Sequence, residues 1–169
     1  QSIDKPICSL EVYPSQRGSG EQGKWVMFLA TTAVSEFWDR EQEILFLGSW
    51  CLRYDRRHEW SGLRYQVMTS PWNNRTRFHD SALQLDEVGE RMLSGLTAHL
   101  NSVHSVNYTQ RYWRILVGPW LTHALHVVYD RYVHLVEAFR HYPRLDTVLL
   151  DSSCFQIPAD SGEFIDFIV

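Results

Sequence analysis

A chain of 169 residues that is 44% hydrophobic and 14% aromatic can bury a core of its own, so it needs neither a structural metal nor a disulfide framework. A net charge of −4 without a basic block argues against nucleic-acid binding. The cysteines Cys8, Cys51 and Cys154 are odd in number and far apart, which favours a reducing compartment, and we expect a cytoplasmic protein.

The two ends of the chain differ from its middle. Residues 1–23 mix proline, serine, glycine and charge, which predicts an irregular N-terminal arm. The chain starts at Gln1 and ends on "GEFIDFIV", a pattern typical of a helix that has just begun. We therefore expect residues 24–169 to be a Rossmann-like N-terminal domain from a longer protein. The most apolar window, Ile115 to Val136, is interrupted by His123, His126, Asp130 and Arg131, so no transmembrane segment is predicted.

Short apolar runs bounded by turn-forming residues predict four β-strands. They cover Trp25 to Ala30, Ile44 to Leu47, Tyr65 to Thr69 and Thr147 to Asp151. Between the third and fourth strands the apolar period changes from two to between three and four, which indicates helices.

Two long helical regions are predicted between these strands. The first runs from an N-cap at Asp80 to His104. Its apolar stripe contains Leu85, Val88, Met92, Leu96, Leu100 and Val103. The second begins after Asn107, and Gly118-Pro119 is expected to divide it because proline breaks a helix interior. The part after the proline has its own apolar stripe of Leu121, Leu125, Val128, Tyr132, Leu135 and Phe139.

The alternation of strands and helices predicts an α/β fold with a mostly parallel, Rossmann-like sheet covered by long helices. Ligands of such sheets bind at the carboxyl ends of the strands. The predicted ligand contacts at these ends are Thr31, Thr32, Trp50, Arg53 and Trp72. The sequence has no GxGxxG motif and no Walker loop, so no cofactor is predicted.

Each of these contacts has a structural alternative. Thr31 and Thr32 could bond a sugar or a phosphate, or cap the turn that follows them. Trp50 with Arg53 offers a stacking plane and a charged fork, which suit sugars and phosphates. Alternatively, Trp50 plugs the edge of the sheet and Arg53 lies in water.

The second long helical region carries a stripe of histidines and acids opposite its apolar stripe. The residues are His123, His126, Asp130, His134, Glu137 and His141. By spacing, some of them could bind a metal, as a metal-dependent hydrolase would require. A surface helix shows the same polar stripe without any metal, and we predict no metal site.

The segment "HSVNYTQRYWRILVGPWL" joins the two helical regions and concentrates large hydrogen-bonding side chains. Arg111 and Arg114 lie on neighbouring turns and could contact an anionic ligand or pair with acids such as Asp130. Trp113 could contact a substrate or fill a helix crossing together with Trp120. His104 lies at the C-terminal end of the first helix, where the helix dipole favours its charged form.

Three motifs give the chain a resemblance to a known family. "FLATTA", "ILFLGSWC" and above all "HSVNYTQRYWRILVGPWL", with "YDR" ten residues on, resemble the N-terminal part of a transferase family from bacterial surface-polysaccharide and O-antigen biosynthesis. The resemblance covers most of Trp25 to Asp151 and implies a glycosyltransferase-like enzyme with two Rossmann-like domains. It also implies that this chain is the acceptor-side half, with the sugar nucleotide held mainly by the C-terminal half of the same protein.

The chemistry that follows from the resemblance is displacement at an anomeric carbon by an acceptor hydroxyl. A general base has to accept the proton of that hydroxyl, and positive groups have to offset the charge of the leaving nucleotide. We predict His104 as the first candidate base and Asp151 as the second, with Arg111 and Arg114 as anion contacts. A non-catalytic binding or assembly domain is the alternative to an enzyme, and its partner surface would be the histidine-acid stripe and the tryptophans.

Overall fold

The structure is a computed structural model. It describes residues 26–149 together with Asp160 and Gly162. The chain divides into two compact units. The first, here called the sheet unit, consists of Gln1–Met68 and Phe139–Val169. The second, here called the hairpin unit, is Thr69–Ala138. The predicted N-terminal arm lies outside the described residues.

The sheet unit contains a parallel sheet of four strands. These are β1 (Met27–Ala30), β2 (Glu43–Phe46), β3 (Tyr65–Val67) and β4 (Leu145–Asp146), in the spatial order β3-β2-β1-β4. The α/β class and the Rossmann-like, parallel character of the sheet predicted from the sequence are thereby confirmed. The first three strands lie within a residue or two of their predicted positions.

The fourth strand is displaced from its prediction. β4 pairs with β1 through Met27↔Leu145 and Phe28↔Asp146, two residues before the predicted strand begins. Residues 147–149 follow as irregular chain, and the last two residues of the predicted strand lie outside the described part. The prediction from the apolar run "VLL" was therefore wrong about the position of the strand. Pairing with β1, rather than local hydrophobicity, decides which residues extend the sheet.

The two central strands are buried on both faces, as expected for a parallel sheet. In β2, Ile44, Leu45 and Phe46 have no exposed surface, and in β1 Leu29 is only 1% exposed. Aromatic rings extend this core from Phe46. The centroid of its ring lies 4.9 Å from the ring centroid of Trp38 and 5.4 Å from that of Tyr65, and both pairs are T-shaped. The run of apolar residues in each strand thus supplies both layers of the core.

Short turns connect the first three strands. Single 3₁₀ turns cover Ser35–Phe37 after β1, and Ser49–Cys51 and Tyr54–Arg56 after β2. A one-turn helix, α1 (Arg57–Trp60), precedes β3. The carboxyl ends of β1 and β2 therefore lead directly into tight loops.

The hairpin unit is built on two long helices, α2 (Arg75–His104) and α3 (Gln110–His141). α2 begins five residues before Asp80, so the predicted N-cap is wrong. The cap is Asn74, whose Oδ1 accepts a hydrogen bond from the backbone N–H of Arg77 at 3.1 Å. Asparagine caps as well as aspartate does, and it satisfies an N–H group that the helix leaves without a partner.

The predicted break at Gly118-Pro119 is also wrong, because α3 continues through Pro119. A proline inside a helix removes one hydrogen bond and costs about 3 kcal/mol. Packing on both sides of the proline offsets this cost: Trp113 before it and Leu121 after it are buried against Leu93 of α2 in one apolar cluster. Tertiary contacts therefore override the local signal.

The C-terminal part of α3 buries a different face from the predicted one. Val128, Tyr132 and Phe139 of the predicted apolar stripe are 62%, 61% and 58% exposed. His134, predicted to lie on a solvated polar stripe, is only 3% exposed.

Among the described residues, none of the helices combines the length and the apolar character needed to cross a bilayer.

Replacing Gly95 by alanine should stabilise the protein by about 1 kcal/mol, because glycine is the weakest helix former other than proline. Gly95 lies inside α2, and a Cβ atom added to it would meet nothing within 4 Å. Urea denaturation of the variant should show a higher midpoint with an unchanged slope. A lower midpoint would contradict the open space around this position.

Candidate functional site

The strand order identifies the edge of the sheet at which a ligand is expected. From β1 the chain proceeds to β2 and β3 on one side, and β4 then pairs with β1 on the other side. The direction of the strand order therefore reverses between β1 and β4. In open parallel sheets, ligands bind outside the carboxyl ends of the strands at this reversal. Thr31 and Thr32 follow β1 there, and Thr147 follows β4.

Two indole groups hold the loop after β1. Trp38 Nε1 donates to the carbonyl oxygen of Thr32 at 3.0 Å, and Trp50 Nε1 donates to the carbonyl oxygen of Thr31 at 3.2 Å. The Thr32 hydroxyl accepts a hydrogen bond from the backbone N–H of Val34 at 3.3 Å, so it caps the turn, as its structural alternative predicted. Thr31 is exposed at the edge of the sheet.

Trp50 comes from the loop after β2 and lies directly over Gly48. A Cβ atom added to Gly48 would lie 2.0, 2.3 and 2.4 Å from three ring carbons of Trp50. Gly48 has extended backbone angles, with φ at −170°, which any residue adopts. The glycine is therefore required for space, and the space lets a half-buried indole reach the loop after β1.

Thr147 is the residue of this edge that the sequence analysis missed. Its hydroxyl donates to the carbonyl oxygen of Leu29 at 2.9 Å, and its backbone N–H donates to Asp146 Oδ1 at 3.0 Å. It was missed because the fourth strand was predicted over Thr147 itself. A strand placed two residues earlier would have put this threonine at the carboxyl end.

Arg53 lies three residues after Trp50 and is occupied by a neighbour. Its guanidinium binds Asp55 through Nε to Oδ1 at 3.2 Å and Nη2 to Oδ2 at 2.9 Å. The hydrogen bond from Arg53 lowers the pKa of Asp55 and more than offsets the effect of desolvation. Both side chains are exposed, and exposed ion pairs contribute little to stability, so an anionic ligand can compete with Asp55 for the arginine.

Trp72 belongs to the hairpin unit, where its Nε1 donates to Asp130 Oδ1 at 2.5 Å. His134 and Arg131 contact the same carboxylate, at 3.3 Å from its Oδ1 and 2.7 Å from its Oδ2. Nδ1 of His134 also lies 2.8 Å from the carbonyl oxygen of Asp130, and because a carbonyl can only accept, Nδ1 carries the proton.

The connection between α2 and α3 is an aromatic cluster held by one asparagine. Asn101 Oδ1 accepts from the backbone N–H of Tyr108 at 3.0 Å and from Trp113 Nε1 at 2.9 Å. Its Nδ2 donates to the carbonyl oxygen of Tyr108 at 2.9 Å. The His104 ring, exposed to solvent, stacks on Trp113 with centroids 5.9 Å apart. Trp113 is 6% exposed, so the helix-crossing alternative describes it better than a substrate contact.

Arg114 pairs with Glu90 rather than with Asp130. Its Nη1 and Nη2 donate to the two Glu90 oxygens at 2.5 and 2.6 Å. These hydrogen bonds lower the pKa of Glu90 and outweigh desolvation. The pair borders a cleft of about 650 Å³ between α2 and α3, which Gly89 and Gly118 help to open. Arg111 is exposed on the same helix.

Within the described part of the chain, no group of three or more histidine, cysteine, aspartate or glutamate side chains is placed to hold a metal ion. The predicted stripe is instead divided among other contacts. Asp130 and His134 take part in the contacts of Trp72, and Glu137 accepts from Arg77 Nη1 at 2.8 Å.

The Asp130 carboxylate is expected to stabilise the protein only above the ordinary carboxylate titration range. Burial raises the pKa of Asp130. Hydrogen bonds from His134 and Trp72, together with the charges of His134 and Arg131, lower that pKa by a larger amount, so the net shift is downward. A lowered folded-state pKa stabilises above the unfolded pKa of about 3.9, and the effect is lost as the pH falls through the folded value.

Asp130→Asn should therefore lower the melting temperature by about 2–4 °C at pH 7, after screening at this partly exposed site. The difference from the unmodified protein should shrink as the pH falls below about 4. Thermal unfolding at a series of pH values measures it. A difference that stays constant down to acid pH would show that the charge of Asp130 has no role.

The predicted site residues thus fall into two groups. Thr31, Thr32, Trp50 and Arg53 belong to the sheet unit, where a hydrogen bond joins Trp50 to Thr31. Trp72, His104, Arg111, Trp113 and Arg114 belong to the hairpin unit, where His104 meets Trp113. Asp151 lies outside the described residues.

Comparison with known proteins identifies a family that the chain matches. A protein-family model described as LIC12162 family transferase matches residues 27–169, which is most of the chain. Neither a curated protein nor a solved structure matches it.

Proposed function

Because the chain belongs to the LIC12162 family of transferases, we propose that it is the acceptor-side part of an enzyme that transfers a sugar from a nucleotide donor during surface-polysaccharide synthesis. The observation that carries this proposal is the reversal of strand order between β1 and β4, where threonines and an indole gather. Hydroxyl groups beside an aromatic ring suit a carbohydrate, which needs both hydrogen bonds and an apolar stacking surface.

In the proposed reaction, a hydroxyl oxygen of the acceptor attacks the anomeric carbon of the donor sugar. The bond between that carbon and the phosphate oxygen breaks, and the nucleotide leaves with the electron pair. The acceptor proton passes to a general base. No glycine-rich phosphate loop occurs in this sequence, which agrees with a nucleotide held mainly by the C-terminal half of the enzyme.

The sheet edge supplies the acceptor contacts of the proposal. The exposed Thr31 offers a hydroxyl, and its backbone is held in place by the hydrogen bond from Trp50. Trp50 offers the stacking ring, and Arg53 offers a guanidinium that is paired only at the surface. Thr32 and Thr147 fix the two loops through hydrogen bonds to the backbone. Positioning of this kind is a large part of how transferases accelerate reactions.

The hairpin unit supplies the proposed base and anion contacts. His104 is exposed, and its ring is oriented by stacking on Trp113. We propose His104 as the general base. The second candidate is Asp151, which lies outside the described residues. Arg111 and Arg114 are proposed to face the leaving phosphates, with Arg114 exchanging its exposed Glu90 partner for the ligand.

The test is sugar transfer by the enzyme encoded by the complete reading frame, measured as nucleotide release from a panel of sugar nucleotides with glycoside acceptors. Trp50→Leu and Thr31→Val should each lower kcat/KM by about tenfold, the equivalent of one lost contact of about 1.4 kcal/mol. Trp120→Leu, which replaces an exposed tryptophan of α3, is the matched control and should stay near the unmodified rate. Equal rates in all three variants would overturn the proposed site.

A non-catalytic assembly domain is the second candidate, and one observation favours it. Large apolar side chains of α3 are exposed one helical turn apart, with Val128 at 62% and Tyr132 at 61%. Clustered exposed apolar groups often mark a protein interface. Light scattering during size exclusion distinguishes the two candidates. A stable homomeric complex that binds no sugar nucleotide and transfers no sugar would favour assembly.

A further inference from the structure

We propose that the hairpin unit carries a carbohydrate-binding site of its own, in the cavity between the start of α2 and the C-terminal half of α3. The cavity has a volume of about 360 Å³, and its lining includes Trp72, Phe78, Ser81, Tyr129, Asp130 and Arg131. The proposal is independent of the sheet-edge function, because every lining residue belongs to the hairpin unit.

One wall of the cavity is aromatic and partly open to solvent. The Trp72 and Tyr129 rings lie near parallel, with centroids 6.1 Å apart and an angle of 30°. The rings of Phe78 and Trp72 meet edge to face with centroids 6.2 Å apart, and Phe78 is 57% exposed. An aromatic ring exposed at a cavity mouth leaves apolar surface in water, and an apolar ligand face can remove that surface from water.

The cavity also has a polar part, which consists of a few polar groups that converge on the same space. The Ser81 and Tyr129 hydroxyls lie 3.3 Å apart, and either one could donate. Each hydroxyl has one hydrogen, so a single bond between them uses only one of the two available donors. The Asp130 carboxylate accepts from Trp72 and Arg131, and it is 26% exposed.

Charge decides which ligand class fits. Asp130 and Arg131 form an ion pair at 2.7 Å, so neither sign of charge dominates the cavity. A cationic ligand would gain from the aromatic wall but would face the arginine, and an anionic ligand would face the aspartate. A neutral ligand with an apolar face and several hydroxyls meets every wall favourably. That description fits a sugar ring.

Size agrees with this choice. Small-molecule sites commonly have volumes of about 300–1,000 Å³. The 360 Å³ cavity lies at the lower end of that range and suits a monosaccharide or a disaccharide rather than a whole sugar nucleotide. The site would hold part of a glycan chain, and its affinity for a single sugar should be weak, in the millimolar range.

The experiment uses the full 169-residue chain, labelled with ¹⁵N, and follows the indole N–H signal of Trp72. Trp72→Phe identifies that signal as the one it removes. The probes are the methyl glycosides of glucose, galactose, mannose and N-acetylglucosamine, with tetramethylammonium chloride as the cationic alternative. We expect at least one glycoside to shift the Trp72 signal saturably and tetramethylammonium to leave it unchanged.

Two matched variants locate the site. Phe78→Ala should weaken glycoside binding by about fivefold, whereas Phe139→Ala, which removes an equally exposed phenylalanine outside the cavity, should leave it unchanged. Melting temperatures show whether both variants fold. Equal affinities in the two variants, a response only to tetramethylammonium, or no response to any probe would each overturn the proposal.

Trp50→Leu separates this inference from the proposed function. It removes the stacking ring of the sheet edge and lies outside the cavity, so glycoside shifts at Trp72 should persist. If transfer depends on Trp50 and Trp72 responds to no probe, the proposed function stands and the second site does not. The reverse pattern supports the second site alone.

Discussion

Replacing Gly48 by alanine is expected to destabilise the protein by about 1–3 kcal/mol, the usual cost of overpacking a well-filled site. The added Cβ atom would lie 2.0 Å from a ring carbon of Trp50, a distance at which something must move. The indole is the mobile partner, and its displacement breaks the hydrogen bond to the Thr31 carbonyl. The loop after β1 would then lose one of the two indoles that hold it.

Urea denaturation measures the loss, and the indole N–H signal of Trp50 in a ¹⁵N spectrum reports the displacement. Gly62→Ala is the matched control, because a Cβ atom there would meet nothing within 4 Å and the residue belongs to the same unit. Trp50→Ala combined with Gly48→Ala sharpens the test. If the clash is the cause, alanine at Gly48 should cost almost nothing once the indole is absent.

Replacing Asn101 by alanine is expected to have the largest effect in the hairpin unit, a loss of about 2–4 kcal/mol. The substitution removes three hydrogen bonds, each of which contributes about 0.5–1.5 kcal/mol. It also leaves the indole N–H of Trp113, which is 6% exposed, without its carboxamide acceptor. A buried donor without a partner costs more than the lost bond itself.

Asn107→Ala provides the control for this prediction, since Asn107 is an exposed asparagine in the same connection between the helices. Its variant should unfold within about 0.5 kcal/mol of the unmodified protein. Asn101→Asp keeps an acceptor for Trp113 and loses the donor to Tyr108, so it should lie between the two. If Asn101→Ala unfolds like Asn107→Ala, the asparagine does not hold the connection together.

The sequence was sufficient to predict the parallel sheet, because its signals are local. Continuous runs such as Ile44 to Leu47 are apolar on both sides, and only a strand covered on both faces needs that. The closeness of Trp50 and Thr31 followed from the same reasoning, since the carboxyl ends of neighbouring parallel strands meet at one edge. β4 was misplaced because it pairs with β1 through only two residues, and two residues form too short a pattern to locate a strand from the sequence.

The helices were predicted less well where tertiary contacts decide the outcome. The apolar spacing of Val128 and Tyr132 indicated a buried face, yet the histidine opposite them is buried instead, because Asp130 and Trp72 supply polar and aromatic partners for it. Trp72 and Asp130 are 58 residues apart in sequence, and no spacing rule relates them. The cavity beside them was therefore beyond the reach of sequence patterns.

The pairing of β4 with β1 has a consequence for the order of folding. Neighbouring residues such as Asn101 and Tyr108 can meet as soon as the helical connection forms, whereas Thr147 must find Leu29 across 118 residues of chain. Closing so long a loop has a high entropic cost, so we expect this strand to join last. Any acceptor that recognises the β1–β4 edge would then bind only fully folded molecules and would slow their unfolding.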